Sequence, residues 1–360
     1  MRTFGIEEEF FLVHPGTGFP AVPDQSTIAS ILGITAGANS SHTEMLACQV
    51  ETATPICTDG LEALASLREY RKELARTVLE ADLVAVGLGT IPQHLNGPAV
   101  IAENERYHQI QRFVPGISAD QYVSGLHIHV GIPDSEAGIA ALNALRPWLP
   151  LLTALGANSP FWHGRETGFS SWRTIHYRRW AVQGIQPHFG DAQDYDKRLA
   201  TLLGTDALLD QGHIGWAARL SSRYPTVEIR IPDTQMRSEE SVLLALIVRA
   251  LVNTSLDAPA VSDSFLPEIM DIGLWQGAKH GLRGNQIDPA TGRPVPTKLL
   301  LDRLLQYIRV SLDASGDTDF VHQGLATWAH TGNGAQRQRQ SHARGGVRQV
   351  IRDAGGELTA

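Results

Sequence analysis

Ser124-Gly-Leu-His-Ile-His-Val-Gly131 is the stretch from which the rest of the chain can be read. Leu126, Ile128 and Val130 alternate with His127 and His129. A strand has a side-chain period of two, so the aliphatics take one face and both imidazoles the other. Gly125 and Gly131 bracket the run as strand boundaries do. An imidazole near neutral pH is a metal ligand, a proton carrier or a hydrogen-bond donor. A face with two of them is either the polar side of an amphipathic strand or a chemical site. The stretch alone leaves both readings open.

Other segments repeat the design. In residues 4–13, Glu7 and Glu9 share one face of a strand, while Ile6, Phe10 and Leu12 share the other. Glu8 falls among the apolar residues, where three adjacent carboxylates are poor strand chemistry unless a positive charge lies nearby. In Thr226–Pro232, Val227, Ile229 and Ile231 point one way and Glu228 and Arg230 the other. A further strand, Gln49–Thr54, carries Glu51; the seven-residue spacing puts Glu44 on the opposite side if that strand is continuous.

If these strands adjoin, Glu7, Glu9, Glu51, Glu228 and the two histidines converge on one concave face. Such a cluster repels itself without cations, and bound divalent metal is the natural resolution. A majority of oxygen ligands favours Mg²⁺ or Mn²⁺ over zinc. Carboxylate-held Mg²⁺ with arginines nearby suits phosphoryl transfer. Arg230 shares the face of Glu228, and Arg219, Arg173, Arg178 and Arg179 are further candidates for phosphate or carboxylate. Neither a Walker A sequence nor a glycine-rich kinase loop occurs, so any ATP site is of another kind.

The remaining elements form a frame. Asp59-x-x-Glu62 resembles a capping box and opens a helix over roughly 61–81. A buried strand (83–87), a turn (87–92) and a helix beginning at Asn104 follow. An apolar helix over about 135–155 should be kinked or divided by Pro147 and Pro150. Residues 158–195, rich in Trp, Arg and His, read as an irregular binding loop. Ser238 caps an apolar helix over about 239–256, buried against the sheet. Helices near 265–280 and 297–313 come next, and the basic run Gln336–Arg344 reads as the solvated face of a last helix. With no repeat, low-complexity tract or linker, residues 1–360 read as one domain.

Composition narrows the class. The 360 residues are 42% hydrophobic and 19% charged, with a net charge of −8. That balance supports a large core and speaks against nucleic acid as a partner. No apolar run reaches about 18 residues, so no membrane span is expected. The N-terminal residues contain no apolar signal-like region. Cys48 and Cys57, too few for a disulfide framework, read as reduced thiols of a cytoplasmic protein.

Several stretches occurring in order resemble a known family: Gly5-Ile-Glu-Glu-Glu-Phe10, Val50-Glu-Thr-Ala-Thr54, Asn104-Glu-Arg-Tyr107, Gly125–Gly131, Trp216-x-x-Arg219, Thr226–Asp233 and His280-Gly-Leu282. Together they resemble the bacterial carboxylate–amine ligases of the glutamate–cysteine ligase type 2 family, in the glutamine synthetase-like superfamily. The resemblance implies an α+β fold of the glutamine synthetase/guanido kinase-like kind, in which a curved, mainly antiparallel sheet lines a cleft and helices pack on its outer face. It implies ATP as co-substrate with Mg²⁺ or Mn²⁺, glutamate, and cysteine or another amine as acceptor, and it leaves room for a homodimer. Carried over by position, it implies Glu7, Glu9, Glu51, His127 and Glu228 as metal ligands, with Glu51 and Arg230 in catalysis. His129, Arg219 and Arg173 would then meet phosphate or substrate carboxylate. Ile91 stands where the family often has histidine, Ala181 where proline is usual and Lys279 where arginine is common. These departures bear on the acceptor pocket. A metal-dependent amidohydrolase is the rival reading, because His-x-His also marks hydrolase barrels.

Overall fold

The computed structural model describes residues 2–95, 97–257 and 265–360. It is built on a sheet of seven strands: β1 (Phe4–Val13), β2 (Ser40–Thr43), β3 (Gln49–Ala53), β4 (Val84–Val86), β5 (Leu126–Gly131), β6 (Ala218–Leu220) and β7 (Thr226–Ile229). Their order is β6-β7-β5-β1-β3-β2, with β4 also paired to β1. Every pairing in this sheet is antiparallel. Phe11 faces Gln49 across one edge of β1 and Val86 across the other. Strands β5 and β4 therefore share the second edge in turn, and the ten-residue β1 is the spine of the sheet. The parallel βα alternation that a barrel hydrolase requires is absent from this sheet.

The two faces follow the alternation in sequence. On the back, Ile6, Leu126, Ile128, Val130, Val227 and Ile229 are buried in one core with Val242 and Leu246 of the helix Ser238–Asp257. Phe10, Leu12 and Val50 pack with Tyr70, Leu74 and Val78 of the helix Gly60–Leu79. The helix Ser238–Asp257 is apolar around its circumference and correspondingly buried. The helix expected over 135–155 is divided into Ser135–Leu145, a 3₁₀ turn Arg146–Trp148 and Leu149–Leu155, as its prolines require.

Glu8 resolves as a buried charge with a partner. It lies on the back face, fully buried. Arg71, on the helix Gly60–Leu79, grips it with Nε–Oε2 at 3.0 Å and Nη2–Oε1 at 2.5 Å. The same guanidinium donates to the carbonyls of Met236 and Gln235 at 2.9 and 3.1 Å, and the Ser241 hydroxyl donates to Glu8 at 2.5 Å. One ion pair thus ties the sheet to two helices.

Three expectations need correction. The run Gln336–Arg344 is not a solvated face: within the helix Gly334–Glu357, Arg337 forks onto Glu240 at 2.7 Å through both terminal nitrogens, and Gln338 donates to Asn158. Helical spacing made both residues read as exposed because their polar partners lie far away in sequence. Residues 158–195 are less irregular than composition implied, holding a short hairpin and the helix Trp172–Tyr177. Two helices, Gln25–Leu32 and Thr318–Thr331, lie in segments where no helix was expected. Among the described residues, no helix is long and apolar enough to cross a membrane.

Candidate active site

The front face of the sheet lines a cleft of about 940 Å³. Register alone assembles it. Glu7 lies opposite His127, Glu9 opposite Glu51, Glu51 opposite His42, Glu228 opposite His129, and Arg219 opposite Glu228. Like charges directly across a strand pair are destabilising, so Glu9 against Glu51 is a costly arrangement for an uncompensated sheet.

The carboxylates and imidazoles form three overlapping groups whose candidate ligand atoms lie within 4.8 Å of one another. They are Glu7/His129/Glu228, Glu7/Glu51/His127 and Glu9/Glu44/Glu51. Glu7 stands between the imidazoles, with Oε2 at 3.2 Å from Nδ1 of His127 and Oε1 at 3.3 Å from Nε2 of His129. Nε2 of His127 is 3.7 Å from Oε1 of Glu9. Nδ1 of His129 meets the Thr226 hydroxyl at 2.8 Å, which leaves its Nε2 for the carboxylate side.

Electrostatics divide the cluster. Burial disfavours the Glu228 carboxylate, but Arg230, Arg219 and the histidines outweigh it and hold Glu228 well below the usual range. Burial is likewise outweighed at Glu7 by His127 and His129, and its pKa is low. On the other side, burial and the Glu44 charge push Glu9 up to about 8. Glu51 is driven well above its ordinary value by burial, then by Glu44, Glu7 and Glu9. Glu44 is also raised, chiefly by burial. Burial and the charge of Arg230 lower His127 to about 4, so its imidazole is neutral at pH 7 and able to ligate. At the Glu228 end the arginines outweigh burial, whereas at Glu9, Glu44 and Glu51 the charges of Arg173, Arg230 and Arg106 do not offset it. This donor set of buried, mutually repelling carboxylates with neutral imidazole fits a divalent metal.

The arginines are placed differently from one another. Arg230 ion-pairs with Glu228, and Arg219 reaches the same carboxylate with Nε at 2.8 Å while donating to the carbonyls of Gln211 and Ile214. Arg173 is buried and donates to the carbonyls of Ile231 and Arg230 at 3.1 Å each. It therefore fixes the backbone that carries Arg230. Gly125 exists for this contact: a Cβ there would collide with the Arg173 guanidinium. Its N–H also donates to Oε2 of Glu9 at 2.7 Å. Arg178 and Arg179 are drawn away from the cleft into pairs with Asp271 and Asp120.

All of Glu7, Glu9, Glu51, His127, His129, Arg173, Arg219, Glu228 and Arg230 line the one cleft. The condition that would set Glu44 opposite Glu51, a continuous strand, is not met. The chain turns between β2 and β3, so Glu44 and Glu51 do not belong to one strand and instead share a group. Arg106, Tyr107, Tyr177 and Tyr224 also line the cleft. The Asn104-Glu-Arg-Tyr stretch had signalled the first two without indicating their place. Ile91, Ala181 and Lys279 are not among the described residues that line it.

Comparison with known proteins agrees with this geometry. The family model of glutamate-cysteine ligase family 2 matches residues 3–354. A protein of Saccharopolyspora erythraea named "Putative glutamate--cysteine ligase 2-2" is 36% identical over 354 residues, covering 97% of this chain and 90% of its own. A protein of the same name from Mycolicibacterium vanbaalenii is 38% identical over 351 residues, covering 95% and 93%. The crystal structure of the glutamate–cysteine ligase of Francisella tularensis in complex with AMP superposes with a TM-score of 0.73 at 13% identity, over 100% of this chain and 89% of the other. With seven strands placing the acidic cleft and the family match running almost end to end, the chain belongs to glutamate–cysteine ligase family 2 and is an ATP-dependent carboxylate–amine ligase.

Proposed function

We propose that the chain, acting as one cytoplasmic catalytic domain, is a glutamate–cysteine ligase that works through γ-glutamyl phosphate. The γ-phosphoryl group of ATP would pass to the side-chain carboxylate of glutamate with release of ADP. The amine of cysteine would then attack the acyl carbon, forming the amide and releasing phosphate. The observation that carries this reading is the convergence of Glu7, Glu9, Glu51, Glu228, His127 and His129 with Arg230 in one cleft.

In this reading Glu7, Glu9, Glu51, His127 and Glu228 hold Mg²⁺ (or Mn²⁺), and Glu44 joins the group through its place beside Glu9 and Glu51. When bound, such an ion neutralises charge on the phosphate oxygens. Arg230 stabilises the equatorial charge of the group in transit, and Glu228 orients its guanidinium. Arg219 anchors Glu228 from the other side and presents a cationic wall to phosphate. Arg173 keeps Arg230 in place through the backbone. His129, held by Thr226, lies between Glu7 and Glu228, where it can serve phosphate or metal.

The test is ADP and phosphate release from Mg·ATP with glutamate, with and without cysteine and with a panel of other amines. ADP release that needs both glutamate and an amine, accompanied by γ-glutamylcysteine, supports the reading. Amide turnover without ATP would overturn it, and a stronger response to another amine would move the acceptor.

The raised carboxylates predict a pH-dependent stability. A folded-state pKa above the unfolded value means that the native protein keeps a proton the unfolded chain releases. Stability from Glu9 is therefore full below about pH 4.5 and is lost as pH rises towards 8. Within that window each such group weakens the fold by about 1.4 kcal/mol per pH unit. Buried neutral His127 and His176, lowered to about 4, oppose this below about pH 6.5, so thermal melting in EDTA should fall from about pH 6.5 to about pH 8, and saturating Mg²⁺ should remove most of the fall. A flat profile in EDTA would contradict the buried acidic cluster.

A further inference from the structure

A second cluster of metal-ligating side chains lies outside the carboxylate cleft. His94, Asp120 and His163 each offer one ligand atom, and the three atoms lie within 4.8 Å of one another. None of the three lines the cleft.

The His94 side chain is almost wholly buried. Its Nδ1 lies 3.1 Å from the carbonyl of Leu95, an acceptor only, so Nδ1 carries the proton. The lone pair is thereby fixed on Nε2. That atom is buried and has no hydrogen-bond partner among the described residues. It points towards Oδ1 of Asp120 at 3.7 Å, too far for a hydrogen bond. Two ligands on a tetrahedral ion with bonds of about 2.0–2.1 Å stand roughly 3.4 Å apart, close to this spacing. The other side of Asp120 is already engaged: Arg179 holds Oδ2 at 3.2 Å, and His176 meets the Asp120 carbonyl at 2.6 Å. Oδ1 is left facing His94.

The frame is rigid where it needs to be. Thr90 hydrogen-bonds the Phe161 carbonyl at 2.9 Å, and the N–H of Gly164 donates to the Pro92 carbonyl at 2.9 Å. These bonds clasp the 90–95 loop to the 161–166 hairpin. His163 takes a left-handed φ of 50°, uncommon outside glycine, and so turns its ring against that of His94 at a centroid separation of 4.2 Å. Tyr122 also stacks on His94, at 4.5 Å. An aromatic stack alone accounts for the rings but not for a buried, proton-free nitrogen aimed at a carboxylate oxygen.

We propose that His94, Asp120 and His163 form a second metal site that takes a borderline divalent transition ion of the Zn²⁺ class. Two imidazoles and one carboxylate suit that class rather than Mg²⁺, and exposed His163 leaves a way in from solvent. The hydrogen bond at Nδ1 of His94 is the outer-shell support that such ligands carry. The bound ion would staple the 90–95 loop, the segment before β5 and the 161–166 hairpin together.

The test is titration of the 360-residue chain with Co²⁺ in saturating Mg²⁺, followed by visible absorption and calorimetry. One equivalent should bind. His163→Ala, at an exposed position that does not threaten folding, should weaken it at least about tenfold, as should Asp120→Asn. ADP formation by His163→Ala should match the parent protein, and Glu228→Gln should keep the Co²⁺ equivalent. Absence of Co²⁺ binding by the parent protein, unchanged affinity in His163→Ala, or loss of that equivalent in Glu228→Gln would each overturn the site.

Discussion

Arg230→Ala is expected to reduce ADP formation by roughly 10³–10⁵-fold, the range associated with an arginine that stabilises a phosphoryl group in transfer. The expectation rests on the position of the residue. Arg230 follows β7, faces the cleft, and is ion-paired to Glu228, whose other partner is Arg219. Removing it leaves Glu228 still compensated by Arg219, so the sheet should survive and the loss should fall on turnover. Arg230→Lys should recover little, because an ammonium cannot reproduce the planar fork. Steady-state ADP release at saturating Mg·ATP and glutamate measures this, with circular dichroism confirming the fold. Turnover within tenfold of the parent enzyme would remove Arg230 from the chemistry.

The largest stability effect is expected behind the sheet. Among the described residues, Arg71→Leu leaves the Glu8 carboxylate, fully buried on β1, with only the Ser241 hydroxyl, and strips donors from the carbonyls of Gln235 and Met236. Breaking a buried pair by deleting one partner costs about 3–5 kcal/mol. The denaturation midpoint in urea should fall accordingly. Combining the change with Glu8→Leu should return much of the loss, because the uncompensated charge disappears with the second substitution. Equal destabilisation by the single and double variants would show that the carbonyl contacts, not the ion pair, dominate. Because Glu8 points away from Glu7 and Glu9, residual activity per folded molecule should be unchanged.

Strand alternation carried much of the site. His127/His129, Glu7/Glu9 and Glu228/Arg230 could be placed on shared faces from spacing alone, since a period of two admits one arrangement once a strand is granted. The proline breaks near 146–150 and the apolar helix before Asp257 were legible for the same local reason. Other features depended on partners remote in sequence. Glu8 is an anomaly in the sequence that Arg71 explains; Arg337 reads as solvated although it pairs with Glu240, and Gly125 reads as a strand boundary although the guanidinium of Arg173 fills the space that a Cβ would need. Glu44 escaped because its place depends on the chain turning between β2 and β3.

By itself, then, the sequence determined five of the seven strands (the edge strands β2 and β6 were not legible), the polarity of their faces and the family, because these follow from short-range stereochemistry and ordered motifs. Only the tertiary structure decided which carboxylates meet. The antiparallel register sets Glu9 against Glu51 and Glu7 between two imidazoles, and burial then splits their proton affinities. Strand pairing and desolvation are long-range properties, and no local pattern encodes their outcome.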